Sequence, residues 1–362
     1  MLLTDINDLL VIPPFSLEQT SKKALLLSRL NALTRHHKEN CAYYRGILSG
    51  LGRHQDTFDT LEDVPFIPVS MFKQLSLSSV AEQDVVKVMT SSGTTGQQVS
   101  RIYLDKATAS LQQKTLVKIV SDFIGTTRLP MLIIDSPNVM KDRNMFSARG
   151  AGILGFSIFA SDKAYALNEN MELNHDIINS FLCKHNGKPI LLFGFTFMVW
   201  QHFYSQLISH SERYDFSHAT LIHGGGWKKL LLQQVSANEF SKRLYDVCGI
   251  SKVHDYYGMV EQTGCIYLQC EPGHLHASIY SDVIIRDPQD FSLCAVGKKG
   301  IIQVLSALPE SYPGHSLLTE DEGVLLGEDN CGCGRKGKYF QVIGRLKNAE
   351  LRGCSDTYAA HL

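Results

Sequence analysis

The chain has 362 residues, 44% of them apolar, which is enough to bury a substantial core and, by length alone, to suggest two domains. A formal net charge of −1 gives no electrostatic reason to expect nucleic acid or an anionic membrane as partner. Nine cysteines, an odd number spread over a long chain, argue against a secreted disulfide scaffold. Residues 1–5 carry an acid where a signal peptide carries bases, and the most apolar stretch, 150–160, is too short to span a bilayer. The expectation is a soluble cytoplasmic protein without a membrane span.

In chain order, Ser16-Leu17-Glu18-Gln19 fits a capping box, and Leu26, Leu30 and Leu33 then share one helical face. A helix is expected to about Asn40. With the apolar–aromatic segment Cys41-Ala42-Tyr43-Tyr44-Arg45 it forms an N-terminal helical cap over residues 1–60. Pro65 and Pro68 hold residues 64–73 extended before a turn. Val85-Val86-Lys87-Val88-Met89 reads as a strand that runs into Thr90-Ser91-Ser92-Gly93-Thr94-Thr95-Gly96-Gln97. Hydroxyls and glycines cannot build a core. They suit a loop at a strand end whose amides and hydroxyls face an anion, here phosphate. The alternative is a polar hairpin turn. An ordinary P-loop is excluded because Gln97, not Lys, follows Gly96.

Beyond the loop, short apolar runs alternate with helical segments. Strands are expected at 131–135, at 189–193 with a helix from about Thr196 to His210, at 220–223 running into Gly224-Gly225-Gly226-Trp227-Lys228-Lys229, and at 252–257 ending at Gly258. That pattern predicts an α/β fold, a mostly parallel sheet flanked by helices with ligands at the strand ends. Past Gly297 short strands and turns take over, with 300–306 one expected strand.

Three further constellations carry chemistry. Glu261, just past a strand end, suits Mg²⁺ beside phosphates, although a plain surface glutamate is the alternative. Cys270, His274 or His276, Cys331 and Cys333 supply three thiolates and an imidazole, a closed structural Zn²⁺ set. The alternative is a group of unrelated buried thiols. Cys354 lies next to Gly353 with Arg352 two positions before it, and a neighbouring cation makes a thiol a better nucleophile. A spare cysteine in a frayed tail is the competing view. His223-Gly224-Gly225-Gly226 is similar to the oxyanion loop of lipases, but the chain has no Gly-x-Ser-x-Gly elbow, so the hydrolase reading fails. Phe193, Phe195, Phe197 and Trp200 are candidates for an acyl tunnel or for plain core.

Ser91 to Gly96 resembles the phosphate loop of the adenylate-forming superfamily, which makes acyl-adenylates from a carboxylate and ATP. Tyr257-Gly258-Met259-Val260-Glu261 resembles its next motif, which implies that Tyr257 and Gly258 border the adenine and that Glu261 meets Mg²⁺. Thr319-Glu320-Asp321 stands where the superfamily has Thr-Gly-Asp, implying that Asp321 binds the ribose hydroxyls, with Glu320 in the place of glycine. Gly344-Arg345 resembles the start of the hinge motif, whose Arg also reaches the ribose, but Lys347 replaces the usual Asp. Phenylacetate-CoA-ligase-like members share Cys, Leu-His and Cys-x-Cys-Gly-Arg in this order, which implies Cys270, His276, Cys331 and Cys333 as the Zn²⁺ ligands.

Over most of its length the chain resembles the acyl-protein synthetase family of the bacterial bioluminescence fatty-acid reductase complex. The matching pieces are Ile67-Pro68-Val69-Ser70 with Phe72-Lys73, Thr90 to Thr94, Gly224-Gly225-Gly226-Trp227-Lys228 and Gly353-Cys354. The resemblance implies ATP-dependent activation of a fatty acid, acyl transfer to Cys354, and an acyl reductase as protein partner. The expected layout is a catalytic domain over 1–343, with a zinc-pinned β segment over 265–343, and a truncated hinge and acceptor tail over 344–362. The usual C-terminal domain with its catalytic Lys is expected to be absent, leaving Lys228 to neutralise the carboxylate or α-phosphate beside Gly225 and Gly226. An acyl- or aryl-CoA ligase and a non-catalytic acyl-presenting subunit are the alternatives.

Overall fold

A computed structural model describes residues 6–91, 98–141, 148–209 and 213–346. The early strands are β1 (Ile67–Pro68), β2 (Lys87–Thr90), β3 (Arg101–Leu104), β4 (Leu129–Ile134) and β5 (Ala160–Tyr165). Then come β6 (Ile190–Phe195), β7 (Ala219–Gly224), β8 (Lys252–Tyr257), β9 (Tyr267–Gln269) and β10 (Leu275–His276). β11 (Ser281–Arg286), β12 (Lys299–Ser306), β13 (Ser316–Glu328) and β14 (Lys338–Arg345) complete the described set. The described residues fall into two compact units, one made of 6–91, 98–123 and 258–346, the other of 124–257.

The second unit carries the parallel sheet that the apolar runs predict. Its order is β8-β7-β6-β4-β5, every neighbouring pair parallel. β4, β6 and β7 are buried on both faces, as strands between helical layers must be. The first strand in sequence has the second on one side and the third on the other, so the order reverses beside β4. Open α/β sheets bind ligands outside the carboxyl ends of strands near such a reversal. The helix expected from Thr196 is α-helical only at its ends, since Val199–Tyr204 is a π-helical turn. Phe193, Phe195, Phe197 and Trp200 are all buried, with Phe193 stacked on Phe156 at 4.3 Å, which is core packing.

The first unit is built on an antiparallel sheet ordered β11-β12-β13-β14-β10-β9, with β1 lying parallel on β13. The helix Gln19–Asn40 buries Leu26, Leu30 and Leu33. Its expected capping box does not form. Ser16 Oγ donates to Pro13 O, and the Gln19 N–H instead donates to both carboxylate oxygens of Asp329 at 3.0 and 2.9 Å. An acid there answers both the orphan donor and the helix dipole. The segment Cys41 to Arg45, expected only as apolar and aromatic, runs into the helix Ala42–Gly50. β2 pairs antiparallel with β3 in a separate two-stranded ribbon, so the hydroxyl-rich loop joins hairpin strands and does not end a parallel strand. No described helix is long and apolar enough to cross a membrane.

Candidate functional site

In the first unit the most distinctive local geometry is a bulge on β13. Ile301 pairs with Glu322 and Gln303 with Leu318, so Ile302 alone faces Thr319, Glu320 and Asp321. The Thr319 hydroxyl staples the bulge, donating to Ile302 O at 2.8 Å and accepting from the Asp321 N–H at 3.1 Å. Bulges re-aim side chains, and they are common beside active sites. On the other edge Asp321 is the cross-strand partner of Arg345, and Arg345 Nε lies 3.5 Å from Asp321 Oδ1. The two residues expected to meet a ribose are therefore cross-strand neighbours on β13 and β14.

Glu261 belongs to the same unit, in the 3-10 turn Val260–Gln262, and is 6% exposed. The Gln262 amide fixes the turn by donating to Val304 O at 3.2 Å and Gly314 O at 2.8 Å. Gly314 has to be glycine here, because a Cβ would stand 2.8 Å from Glu261 O. Burial pushes the Glu261 carboxyl up, the nearby Ser100 hydroxyl and Arg345 pull it back, and Glu320 adds to the rise. A buried carboxylate is costly unless a cation partners it, so its ionised form favours a nearby metal ion. Ser91, half-buried, holds the base of the β2–β3 hairpin: its N–H donates to Ser100 O at 3.2 Å, and its Oγ accepts from the Ser100 N–H at 2.9 Å. Ser92, Gly93, Thr94, Thr95 and Gly96 lie outside the described residues.

In the second unit, the carboxyl ends of β6, β7 and β8 meet at His223. Its Nδ1 is 2.9 Å from Thr196 Oγ1 and 3.5 Å from Asp255 Oδ1, and the Thr196 hydroxyl donates to Gly224 O at 3.2 Å. Burial, with His254 second, depresses His223 to about 3, so the ring is neutral. Hydroxyl and carboxylate share one ring nitrogen. A hydrolytic triad places them on opposite nitrogens, which is a second reason to discard the lipase reading. The knot fixes the start of the glycine run. Gly224 is pressed by the Tyr256 ring, and Gly225, at φ +79°, takes a left-handed turn open to few other residues. Gly225 and Gly226 are exposed, and Lys228 opens the 3-10 turn Lys228–Gln233, its side chain outside the described atoms. Tyr257, half-buried, closes β8, and Gly258 is exposed. Sequence reasoning missed Thr196 and Asp255, which carry no local signal and meet His223 only through strand register.

The metal-type donors also gather in the first unit. One ligand atom each from Cys270, His276, Cys331 and Cys333 lies within 4.8 Å of the others. Cys270 Sγ and Cys331 Sγ are 3.8 Å apart, and Cys333 Sγ is 3.4 Å from His276 Nε2. A tetrahedral Zn²⁺ with bonds of about 2.3 Å to sulfur and 2.0–2.1 Å to nitrogen places S···S at about 3.8 Å and S···N at about 3.6 Å. The donor chemistry and these two separations fit such an ion. His274 stands to one side, its Nδ1 3.4 Å from Cys331 Sγ and its ring stacked on Tyr339. Burial pushes the Cys270 and Cys331 thiols up and His276 down to about 4. Cys354 lies outside the described residues.

Residues 2–362 match the model of a family described as acyl-protein synthetase, LuxE. The chain belongs to that family. It is 23% identical over 367 aligned positions to a long-chain-fatty-acid–luciferin-component ligase of Vibrio harveyi, covering 97% of this chain and 92% of the relative. A protein of the same name from Aliivibrio fischeri is 22% identical over 308 positions, covering 83% and 79%. Among solved structures, an open conformation of 2-hydroxyisobutyryl-CoA ligase, in complex with 2-HIB-AMP and CoA, aligns with TM-score 0.67 and 15% identity over 94% of this chain and 82% of that one. The same ligase in its thioesterification state aligns at 0.69 and 15%, over 93% and 70%. The fold is that of the adenylate-forming ligases, and family membership makes the chain an ATP-dependent, AMP-forming acyl-protein synthetase.

Proposed function

We propose that this synthetase activates a long-chain fatty acid and parks the acyl group on its own Cys354 for delivery to an acyl reductase partner. The carboxylate oxygen attacks the α-phosphorus of ATP, the bond to the β,γ-pyrophosphate breaks, and acyl-AMP forms. The Cys354 sulfur then attacks the acyl carbon. The acyl–phosphate bond breaks, AMP leaves, and the thiol proton passes to solvent.

The resemblance to the adenylate-forming motifs implies the residue roles. Asp321 accepts from the ribose hydroxyls and Arg345 holds it in place. Ser91, Ser92, Gly93, Thr94, Thr95 and Gly96 cradle the phosphates. Tyr257 and Gly258 border the adenine, Gly225 and Gly226 let the backbone approach the adenylate, and Lys228 neutralises charge at the α-phosphate or carboxylate. Glu261 would hold Mg²⁺, which would supply charge neutralisation at the phosphates. Cys270, His276, Cys331 and Cys333 would hold a Zn²⁺ that supplies structure and no chemistry, pinning the β segment of 265–343. Residues 344–362 act as the acceptor tail of a catalytic domain spanning 1–343.

The observation that supports this reading most is the stapled β13 bulge, which sets Asp321 opposite Arg345 in the same unit as the buried Glu261. Fatty-acid-dependent ATP–pyrophosphate exchange tests it. Exchange should require the acid and Mg²⁺ and fall at least about 100-fold in Lys228→Ala. Unchanged exchange in that variant rules out the role of Lys228, and no exchange with any long-chain acid rules out adenylation of such substrates.

A further inference from the structure

The residues that flank the metal-type donors also hold the start of the N-terminal helix. Asp329, two positions before Cys331, accepts the Gln19 N–H on both carboxylate oxygens. A hairpin closes behind it. The Asp329 N–H donates to Gly337 O at 3.0 Å, and the Gly337 N–H donates back to Asp329 Oδ1 at 2.8 Å. Just inside that closure the Lys336 N–H donates to Phe15 O at 2.9 Å, and Lys336 Nζ lies 3.2 Å from Glu18 Oε1. The donor strand β10 and the residues after it grip the same stretch. Lys22 Nζ donates to the oxygen of Ala277, next to His276, at 3.0 Å, and the Ile279 N–H donates to Pro14 O at 2.8 Å. The Phe15 ring stands edge-on to the His276 ring at 6.2 Å. From Pro14 to Lys22, each of these contacts is made by a donor or by a residue within three positions of one.

The hairpin has little apolar surface with which to hold itself. Its packing is a small cluster of Cys270, Cys331 and Tyr339, with Leu326 and Cys333 against them, and the cysteines among these are themselves metal-type donors. Gly332 and Gly334 are exposed. Where a loop lacks a core, a bound metal serves as its staple, and binding free energy becomes folding free energy. The middle of the helix Gln19–Asn40 has an anchor of its own, because Leu26, Leu30 and Leu33 are buried. The first turn therefore depends on the hairpin and the rest on an apolar face. Parts held by different contacts open with different free energies.

We propose that the hairpin 329–337 is a metal-dependent clasp, which holds residues 14–22 in place while its donors share an ion and releases them, with the rest of the helix still docked, when the ion is lost. Asp329 is the positioning residue that joins the two. The proposal rests on the zinc assignment of the four donors and is independent of the adenylation reading. Coupling of this kind is reciprocal, so a helix start that loses its hold on Asp329 weakens the metal site in turn.

Hydrogen–deuterium exchange read by mass spectrometry on the full-length protein, with zinc and after its removal by a chelator, tests this. Removal should speed exchange at least about 10-fold in peptides covering 14–22 and 329–338, and leave 26–40 and β12 within about 2-fold. Asp329→Ala should show fast exchange at 19–22 with zinc still bound, and should bind zinc about 5-fold or more weakly in competition with a chromogenic chelator. Unchanged exchange at 14–22 on zinc removal overturns the proposal. Protection lost throughout the first unit at once also overturns it, as does wild-type zinc affinity in Asp329→Ala. A purified protein that neither holds zinc nor takes it up would bring down the zinc assignment and the clasp with it, a result distinct from the others.

Discussion

Adding one methyl group at Gly224 is the sharpest structural perturbation available in the second unit. A Cβ there would stand 2.4 Å from one Tyr256 ring carbon and 2.6 and 2.7 Å from two others. Ordinary carbon contacts begin near 3.4 Å, so ring or strand must shift by about 1 Å. The ring is not a loose chain end. Its centroid lies 5.3 Å from Phe156 and 6.4 Å from Phe193, in a cluster that also holds the 4.3 Å Phe156–Phe193 stack. Overpacking of this kind costs about 1–3 kcal/mol. Both tryptophans of the chain, Trp200 and Trp227, belong to this unit, so denaturant unfolding followed by tryptophan fluorescence reports on it directly. Gly224→Ala should lower stability by about 2 kcal/mol and reduce pyrophosphate exchange, because the glycine run before Lys228 must move with it. Tyr256→Leu in the same chain should relieve the clash, making the double variant at least about 1 kcal/mol more stable than the sum of the single effects. Gly224→Ala with wild-type stability and exchange would refute the close packing on which this reasoning rests.

Other expectations concern the remaining sites. Purified protein should carry about one zinc per chain by elemental analysis, and Cys331→Ser should lose it together with several degrees of thermal midpoint. Zinc-free wild type of unchanged stability would contradict the assignment. Arg345→Ala and Asp321→Asn should each raise the KM for ATP about 10-fold or more, and equal KM values would remove the ribose role. His315, buried and stacked on His37 at 5.1 Å, is depressed to about 3, mainly by burial. Its unfolded form takes up a proton below about pH 6.5 and its folded form does not, so it adds stability at pH 7 that fades as pH falls. Relative to His315→Gln, wild type should therefore lose about 2 kcal/mol between pH 7 and pH 5. Comparing the two chains removes the opposite contribution of Asp135, which burial raises to about 6. A pH-independent difference would contradict the burial of a neutral ring.

Much of the second unit was legible because its strands are short continuous apolar runs. Leu132, Ile133, Leu191, Leu192, Leu221 and Ile222 are all fully enclosed between layers, and that demand shows in any window of sequence. β5 was missed because it alternates in a half-exposed way, Ala160-Ser161-Asp162-Lys163, and reads as loop. β13 was missed because an acidic run breaks its pattern, and that run is the bulge itself. The four metal-type donors were visible as residue types. The choice of His276 over His274 needed the family resemblance, because both rings lie near the sulfurs. The cap on the helix Gln19–Asn40 comes from Asp329, 310 positions along the chain, beyond the reach of any local rule. The partners of His223 are likewise set by strand register and not by neighbouring sequence.

Intact-mass spectrometry of the protein after incubation with ATP, Mg²⁺ and a long-chain fatty acid addresses the chemistry most directly. A single acyl increment should appear on the wild-type chain, be released by hydroxylamine as a thioester is, and map by peptide analysis to Cys354. It should be absent from Cys354→Ser, which should still exchange pyrophosphate. An increment of the same size on Cys354→Ser, or a wild-type chain that turns ATP into AMP without ever gaining mass, would contradict the account.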